Sequence, residues 1–264
     1  MESPESRQDL DLVPPSLQAL LHEIVDYAGL FPPADLTLQQ ALRSYSDYRD
    51  ESEAWVLSRI VLPVGRLPDL TPFRSFFSQG TPHHFSVLGT GGNDRDTFLD
   101  ALARDLEVID DFDQQYGGRA QVDVMEVPLP ASLHGGSQHD AEAFFEAVDR
   151  RLVQTGTAKL DFFFEVPMES AAVTGLPALC AALSEHNSQQ AVPPRSIMGL
   201  KVRCGGAEPT DVPAPEHVAA LIVGARDAGI PFKATAGLHH PIRHYDDGLD
   251  TEMHGFINLF GAAV

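Results

Sequence analysis

"IMGLKVRCGGAEPTDVPAPEHVAALIVGARDAGIPFKATAGL", residues 197–238, contains the unit from which the fold is read. "IMGLKVRCG" (197–205) is rich in apolar and branched residues and ends on a Gly-Gly turn, which predicts a strand. "PEHVAALIVGARDA" (215–228) carries an apolar stripe at helical spacing, with Gly229 after its last turn. "PFKATAGL" (231–238) returns to a strand pattern. Strand, helix and strand within about 40 residues form a βαβ unit, which implies parallel pairing.

The same alternation extends outward. Further strands are predicted at 54–64 ("AWVLSRIVLPV"), 83–89, 120–129, 160–168 and 255–263, and "DYAGLF" (26–31) reads as a short first one. Helical patterns occupy 16–25, 37–49 (opened by Thr37 as N-cap), 96–115, 139–154 and 171–187, and the 65–82 connection is ambiguous. Seven strands, or eight with 26–31, at about 30 residues per unit predict an α/β fold of the (β/α)8 TIM-type barrel, near its usual ~250 residues. The alternative is an open doubly wound sheet. That fold wants a glycine-rich phosphate turn after its first strand, and neither "GLFPPA" (29–34) nor "GTGGND" (89–94) has the spacing. With 255–263 read as the last strand, the barrel lacks a closing C-terminal helix, unless the helix at 16–25 covers that gap. The domain reading is a flexible acidic start (1–15) and a single barrel domain (16–264).

Composition limits the partners. The 264 residues carry a formal net charge of −20, which repels phosphate backbones and anionic lipid and argues against nucleic-acid and membrane-surface partners. Two cysteines make no disulfide framework, the N-terminus has no basic or apolar leader region, and no apolar run reaches the ~18 residues of a membrane span. A cytoplasmic protein with a small-molecule substrate is expected, with homo-oligomerisation left open.

Buried parallel strands should be almost continuously apolar, so charges near their C-terminal ends stand out. Arg59 interrupts "VLSRIVLP", Glu126 lies in "VDVMEVPLP", and Glu165 lies in "FFFEVP". Lys201 and Arg203 alternate in "GLKVRCGG", and Lys233, Thr235, Gly237 and His239 share one parity in "FKATAGLHH". In the last predicted strand Asn258 shares parity with His254. Six strands with polar residues at the end where barrel enzymes keep their active sites predict one shared site. Trp55 and Phe162–Phe164 read as core, Cys204 as a small buried thiol, and Asp110, Asp111 and Asp113 as a solvated helix face.

The chain has three lysines (Lys159, Lys201, Lys233) among 18 basic residues, and two of them fall on consecutive predicted strands. Neighbouring strands lie about 4.8 Å apart, so two inward lysines at one height nearly touch. Mutual repulsion and burial would then favour a neutral, nucleophilic amine. Arginine cannot substitute, because it stays protonated. Glu126 and Glu165 are the candidate proton carriers, and Arg59, Arg203 and Arg243 are candidates to hold an anionic substrate group. Thr235, His239 and Asn258 complete the predicted substrate-binding set.

"GLKVRCGG" and "FKATAGLHHPIR" resemble strands six and seven of the deoxyribose-phosphate aldolase group of class I aldolases. The resemblance implies that Lys201 forms an imine with the substrate, that Lys233 tunes it, and that no cofactor is needed. Val-Arg-Cys-Gly replaces the family's Thr-Ser-Thr-Gly after the first lysine, and His239-His240 has no counterpart.

Two other readings stand beside it. One is a divalent-metal hydrolase, lyase or isomerase of zinc or manganese type using His239, His254 and Glu165, from a group that also holds His240 and His244. On a strand, His239 and His240 would face opposite ways, so only one could enter the site. The other is a barrel without chemistry that serves as a binding or scaffold protein.

Overall fold

The computed structural model describes residues 13–77, 80–157, 159–189 and 196–263. Most of the expected loose acidic start lies outside these residues. In chain order the elements are α1 (Pro15–Leu21), β1 (Val25–Tyr27), α2 (Leu38–Tyr48), β2 (Leu57–Pro63), β3 (His83–Leu88), α3 (Arg95–Tyr116), β4 (Ala120–Pro128) and α4 (Gln138–Thr155). They continue as β5 (Asp161–Glu165), α5 (Ser170–Ser188), β6 (Met198–Arg203), α6 (Pro215–Ala228), β7 (Phe232–Thr235), β8 (His244–Asp246), β9 (Thr251–Met253) and α7 (Phe256–Ala263). The ambiguous 65–82 connection contains 3-10 turns spanning Val64–Phe77, interrupted at Phe73.

Local chemistry sets these boundaries. A capping box opens α2, in which Thr37 Oγ1 accepts from Gln40 N–H and the Gln40 side chain accepts from Thr37 N–H. Ser137 caps α4 in the same sense, and left-handed Gly156 ends it. Pro215 sits in the first turn of α6 and Gly229 ends that helix at φ 66°.

The chain divides into two compact units, one of residues 1–88 with 107–123 and one of 89–106 with 124–264. In the first, β1, β2 and β3 pair in parallel, with Ile60 opposite Phe85. Its core is aromatic: the Phe77 ring meets His83, Phe85 and Tyr116 at centroid distances of 5.1 to 6.0 Å. In the second, β4, β5, β6 and β7 pair in parallel, neighbour by neighbour. Alternation along β5 sends Phe162 and Phe164 into a fully buried cluster, where Phe164 meets Phe98, Phe144 and Phe145.

The fold is α/β of the (β/α)8-barrel class, with seven parallel strands among the described residues. The predicted last strand is corrected: "FINLFGAA" is helix α7, and a two-stranded hairpin of β8 and β9 precedes it. The last described element is therefore a helix, and among the described residues no eighth parallel strand joins the sheet. A short apolar run has no periodicity to separate a buried strand from a helix. Here the first amides of α7 are taken by loop carbonyls, with Phe256 N–H bonded to His240 O and Ile257 N–H to Pro241 O. Trp55 is also corrected, since it sits half-exposed in a 3-10 turn rather than in the core.

Candidate active site

Four charged side chains meet within the second unit. Pairing aligns Glu165 with Lys201 and Lys201 with Lys233, so three neighbouring strands present charge at one height. Glu126 on β4 stands opposite Phe163, two residues before Glu165. Its carboxylate spans both lysines, with Oε2 2.9 Å from Lys201 Nζ and Oε1 2.8 Å from Lys233 Nζ. Glu165 Oε2 accepts a second ion pair from Lys201 Nζ at 2.9 Å.

The height below makes room for this group. Phe163 pairs with Gly199, which pairs in turn with the Pro231 segment. A Cβ on Gly199 would lie 2.4 Å from Pro231 O and 3.0 Å from the Phe163 ring. The glycine thus leaves space for that ring, and Lys233 Nζ lies 5.6 Å from its centroid, a cation–π contact. Phe163, expected as core, is half-buried and belongs to the site. Its structural signal is Gly199, two residues before Lys201 on the same face.

Glu126 is the most buried of the four, with 2% of its side chain exposed, and Lys201 follows at 6%. Two ammonium and two carboxylate groups sum to zero charge, which permits burial that a lone charge would not tolerate. The expected direct lysine–lysine contact is therefore corrected: a carboxylate stands between the two amines.

Glu165 also faces outward. It lines a cleft of about 550 Å³ with Thr90, Asn93, Thr97, His134 and Leu129. The "GTGGND" stretch, which lacks the spacing of a dinucleotide turn, forms a wall of this cleft. Asp105, buried on α3, fixes the wall by accepting from Thr90 N–H and Thr90 Oγ1, both at 2.7 Å.

The other predicted residues separate. Arg203 and Thr235 are register partners one step beyond the two lysines, at the C-terminal strand ends. Strand β7 stops at Thr235, where Ala236 and Gly237 turn left-handed. That turn is tight, because a Cβ on Gly237 would meet Gly205 Cα at 2.8 Å. His239 and His240 consequently lie on an exposed loop, not on a strand, so the argument from opposite faces does not apply. Arg243 pairs with Glu252 at 3.2 Å and its N–H donates to Asn258 Oδ1, so these two candidates are tied to each other and to the hairpin. Arg59 belongs to the first unit, 3.4 Å from Asp123.

The metal set is not assembled. His254 Nε2 lies 2.8 Å from Pro213 O, Glu165 holds Lys201, and among the described residues no group of three His, Cys, Asp or Glu could hold an ion. Cys204 is the small buried thiol expected from the sequence, and burial pushes it up to about 12. Asp113 departs from the solvated-face reading: it is half-buried, accepts from Val122 N–H, and is pushed up to about 6 by burial.

A search of solved structures matches the fold of this chain to a deoxyribose phosphate aldolase from Aeropyrum pernix, described as having a unique tetrameric structure. The fold resembles that of this aldolase. The TM-score is 0.51 at 14% identity, covering 99% of this chain and 91% of the aldolase. Two structures of a Pyrococcus furiosus chitinase domain match at TM-scores of 0.44 and 0.45, with 14% and 12% identity. They cover 84% and 90% of this chain and 79% and 85% of their own. No family model and no curated protein matches the sequence. At this identity the likeness is one of fold. No helix among the described residues is long and apolar enough to cross a membrane.

Proposed function

We propose that the chain is a class I aldolase-type lyase that binds a small carbonyl compound as an imine on Lys201, with no cofactor. The observation that carries the reading is the pair of lysines on consecutive strands sharing the buried carboxylate of Glu126, with Glu165 as a second acceptor on Lys201 alone. A surface ion-pair network needs no such burial, and a chemically silent barrel would place apolar residues here. The aldolase fold agrees with the reading and does not carry it.

In this reading Lys201 gives a proton to Glu165 or Glu126 across 2.9 Å, and its free amine attacks the carbonyl carbon. The carbonyl π pair moves to oxygen, which takes that proton to give a carbinolamine. The nitrogen, now positively charged, passes one proton through Glu165 to that hydroxyl, so that water leaves and the iminium forms. Breaking the adjacent carbon–carbon bond sends its electron pair into the iminium, while the β-hydroxyl gives its proton to Glu165. Reprotonation of the enamine and hydrolysis restore Lys201. Lys233 holds Glu126 in place and balances its charge throughout. A homo-oligomer, as named for the aldolase, is the assembly to look for by light scattering.

The test is borohydride reduction with a panel of aldehydes, ketones and 2-oxo acids, read by intact mass and peptide mapping. The expected product is one reduced adduct on Lys201 that is absent from Lys201→Ala. No adduct on either lysine across the panel would overturn the reading, and an adduct on Lys233 alone would reverse the roles.

A further inference from the structure

We infer that the substrate is a 2-oxo acid, with its carboxylate seated by Arg203 and Thr235 beside the carbonyl carbon that Lys201 captures. The inference rests on the imine reading and adds a substrate class to it. Arg203 follows Lys201 by two residues on β6 and Thr235 follows Lys233 by two on β7, so each shares the face of its lysine. The two are direct register partners, held by the bond from Cys204 N–H to Thr235 O at 2.8 Å. One step along a strand pair is about 6.6 Å, within reach of an arginine side chain leaning back over the amine.

The charge arrangement distinguishes the two heights. Below, two cations are matched by Glu126 and Glu165, leaving neither lysine as a spare anion receptor. Above, Arg203 is exposed, and among the described residues its side chain makes no hydrogen bond or ion pair. An unmatched guanidinium next to a hydroxyl, one side-chain step above an imine amine, suits a planar anion with two oxygens. A carboxylate one bond from the imine carbon meets that requirement.

A phosphate fits less well where barrels usually bind one, at the loops after the last strands and the start of a short extra helix. Here the first two amides of α7 are bonded to His240 O and Pro241 O. The other glycine turn is also filled: a Cβ on Gly206 would lie 2.3 Å from Asp211 Oδ2, which places an acid against that backbone. Around the cleft beside Glu165, the lining offers hydroxyl, amide and imidazole groups and the carboxylate of Asp94, without lysine or arginine, so it disfavours a second anion. That wall accepts a neutral hydroxylated chain on the far side of the scissile bond. The reaction class that follows is retro-aldol cleavage of a 3-deoxy-2-oxo acid, with C3–C4 broken, the C4 hydroxyl proton passed to Glu165, and a hydroxyaldehyde released.

Pyruvate and acetone test this, since they differ only in the carboxylate. Each is incubated with the protein and borohydride, and adducts are quantified on Lys201 by peptide mapping. The expected result is a trapping rate for pyruvate at least about tenfold above acetone, with the pyruvate-to-acetone ratio falling by a similar factor in Arg203→Gln. Thr235→Val, read the same way, replaces it if Arg203→Gln does not fold by circular dichroism. Acetone or acetaldehyde trapped on Lys201 with no preference for pyruvate, or a ratio unchanged by both substitutions, overturns the carboxylate seat and leaves the imine reading standing. No carbonyl compound trapped on a lysine overturns both.

Discussion

Two polar clusters, one in each unit, use similar residue types to different ends. In the first, Asp123 accepts from His84 Nδ1 at 2.6 Å and from Gln121 Nε2 at 3.0 Å, with Arg59 Nε at 3.4 Å. In the second, Glu126 and Glu165 hold Lys201 and Lys233. The first draws on the early positions of β2, β3 and β4, and 41% of the His84 side chain is exposed. The second uses the ends of β4 and β5 and the strands that follow, and it contains the almost fully buried Glu126. Half-solvated charges contribute little and relax easily. Buried, mutually satisfied charges are costly to break, and in a barrel the C-terminal strand ends are where chemistry is placed. What separates the clusters is position along the strand and depth of burial, not composition.

The largest test of this contrast is Lys201→Ala, expected to abolish imine trapping and lower any lyase activity about 10⁵-fold or more, as removal of a covalent nucleophile does. Arg59→Ala in the other cluster should leave trapping on Lys201 intact. Next is stability. Glu126→Gln removes the anion shared by two lysines and should cost about 3–5 kcal/mol in urea unfolding, whereas Asp123→Asn should cost no more than about 1 kcal/mol. Equal losses would mean that burial does not distinguish the clusters. Glu165→Gln should lower turnover by about 10²–10⁴-fold, as loss of a proton carrier does.

The smallest effects concern pH and belong to the first unit. Burial pushes His83 down to about 4, and its ring nitrogens have no partner among the described residues. The unfolded chain then binds more protons between about pH 6.5 and 4, so His83 removes stability as acid is added. His83→Phe, placed among Tyr45 and Phe77, should raise the melting temperature at pH 5 more than at pH 7. Asp113 has the opposite sign. Its raised value lets the folded chain hold the extra proton, so its stabilising contribution is lost as pH rises from about 4 through 6. Asp113→Asn should therefore gain stability above pH 6 and show no gain below pH 4. Superimposable melting profiles for either variant and the parent would remove that residue's role.

The order of elements was legible because parallel strands and amphipathic helices have periods that survive in sequence. Strands 57–63, 120–128 and 198–203 fall inside the predicted segments. The 256–263 segment was not legible, because "FINLFGAA" is apolar apart from Asn258, and its first amides are met by the His240 and Pro241 carbonyls. The four catalytic candidates were found as charges where strands should be apolar. Arg59 carried the same signal, His239 and Asn258 a similar one as polar residues in line with predicted strands, and nothing in their sequence context distinguished them.

Sequence alone therefore determined the α/β alternation, the acidic surface, and the short set of charged residues on strands. It did so because periodicity and polarity are local properties. Tertiary structure decided that Glu126 stands between Lys201 and Lys233, that Arg203 pairs with Thr235 one step above them, and that the histidines form no ligand set among the described residues. Those outcomes depend on strand register and on side chains brought together from positions up to 107 residues apart, as in Glu126 and Lys233. A shift of one residue in pairing would turn each of them to the opposite face, and only the packed core sets that choice.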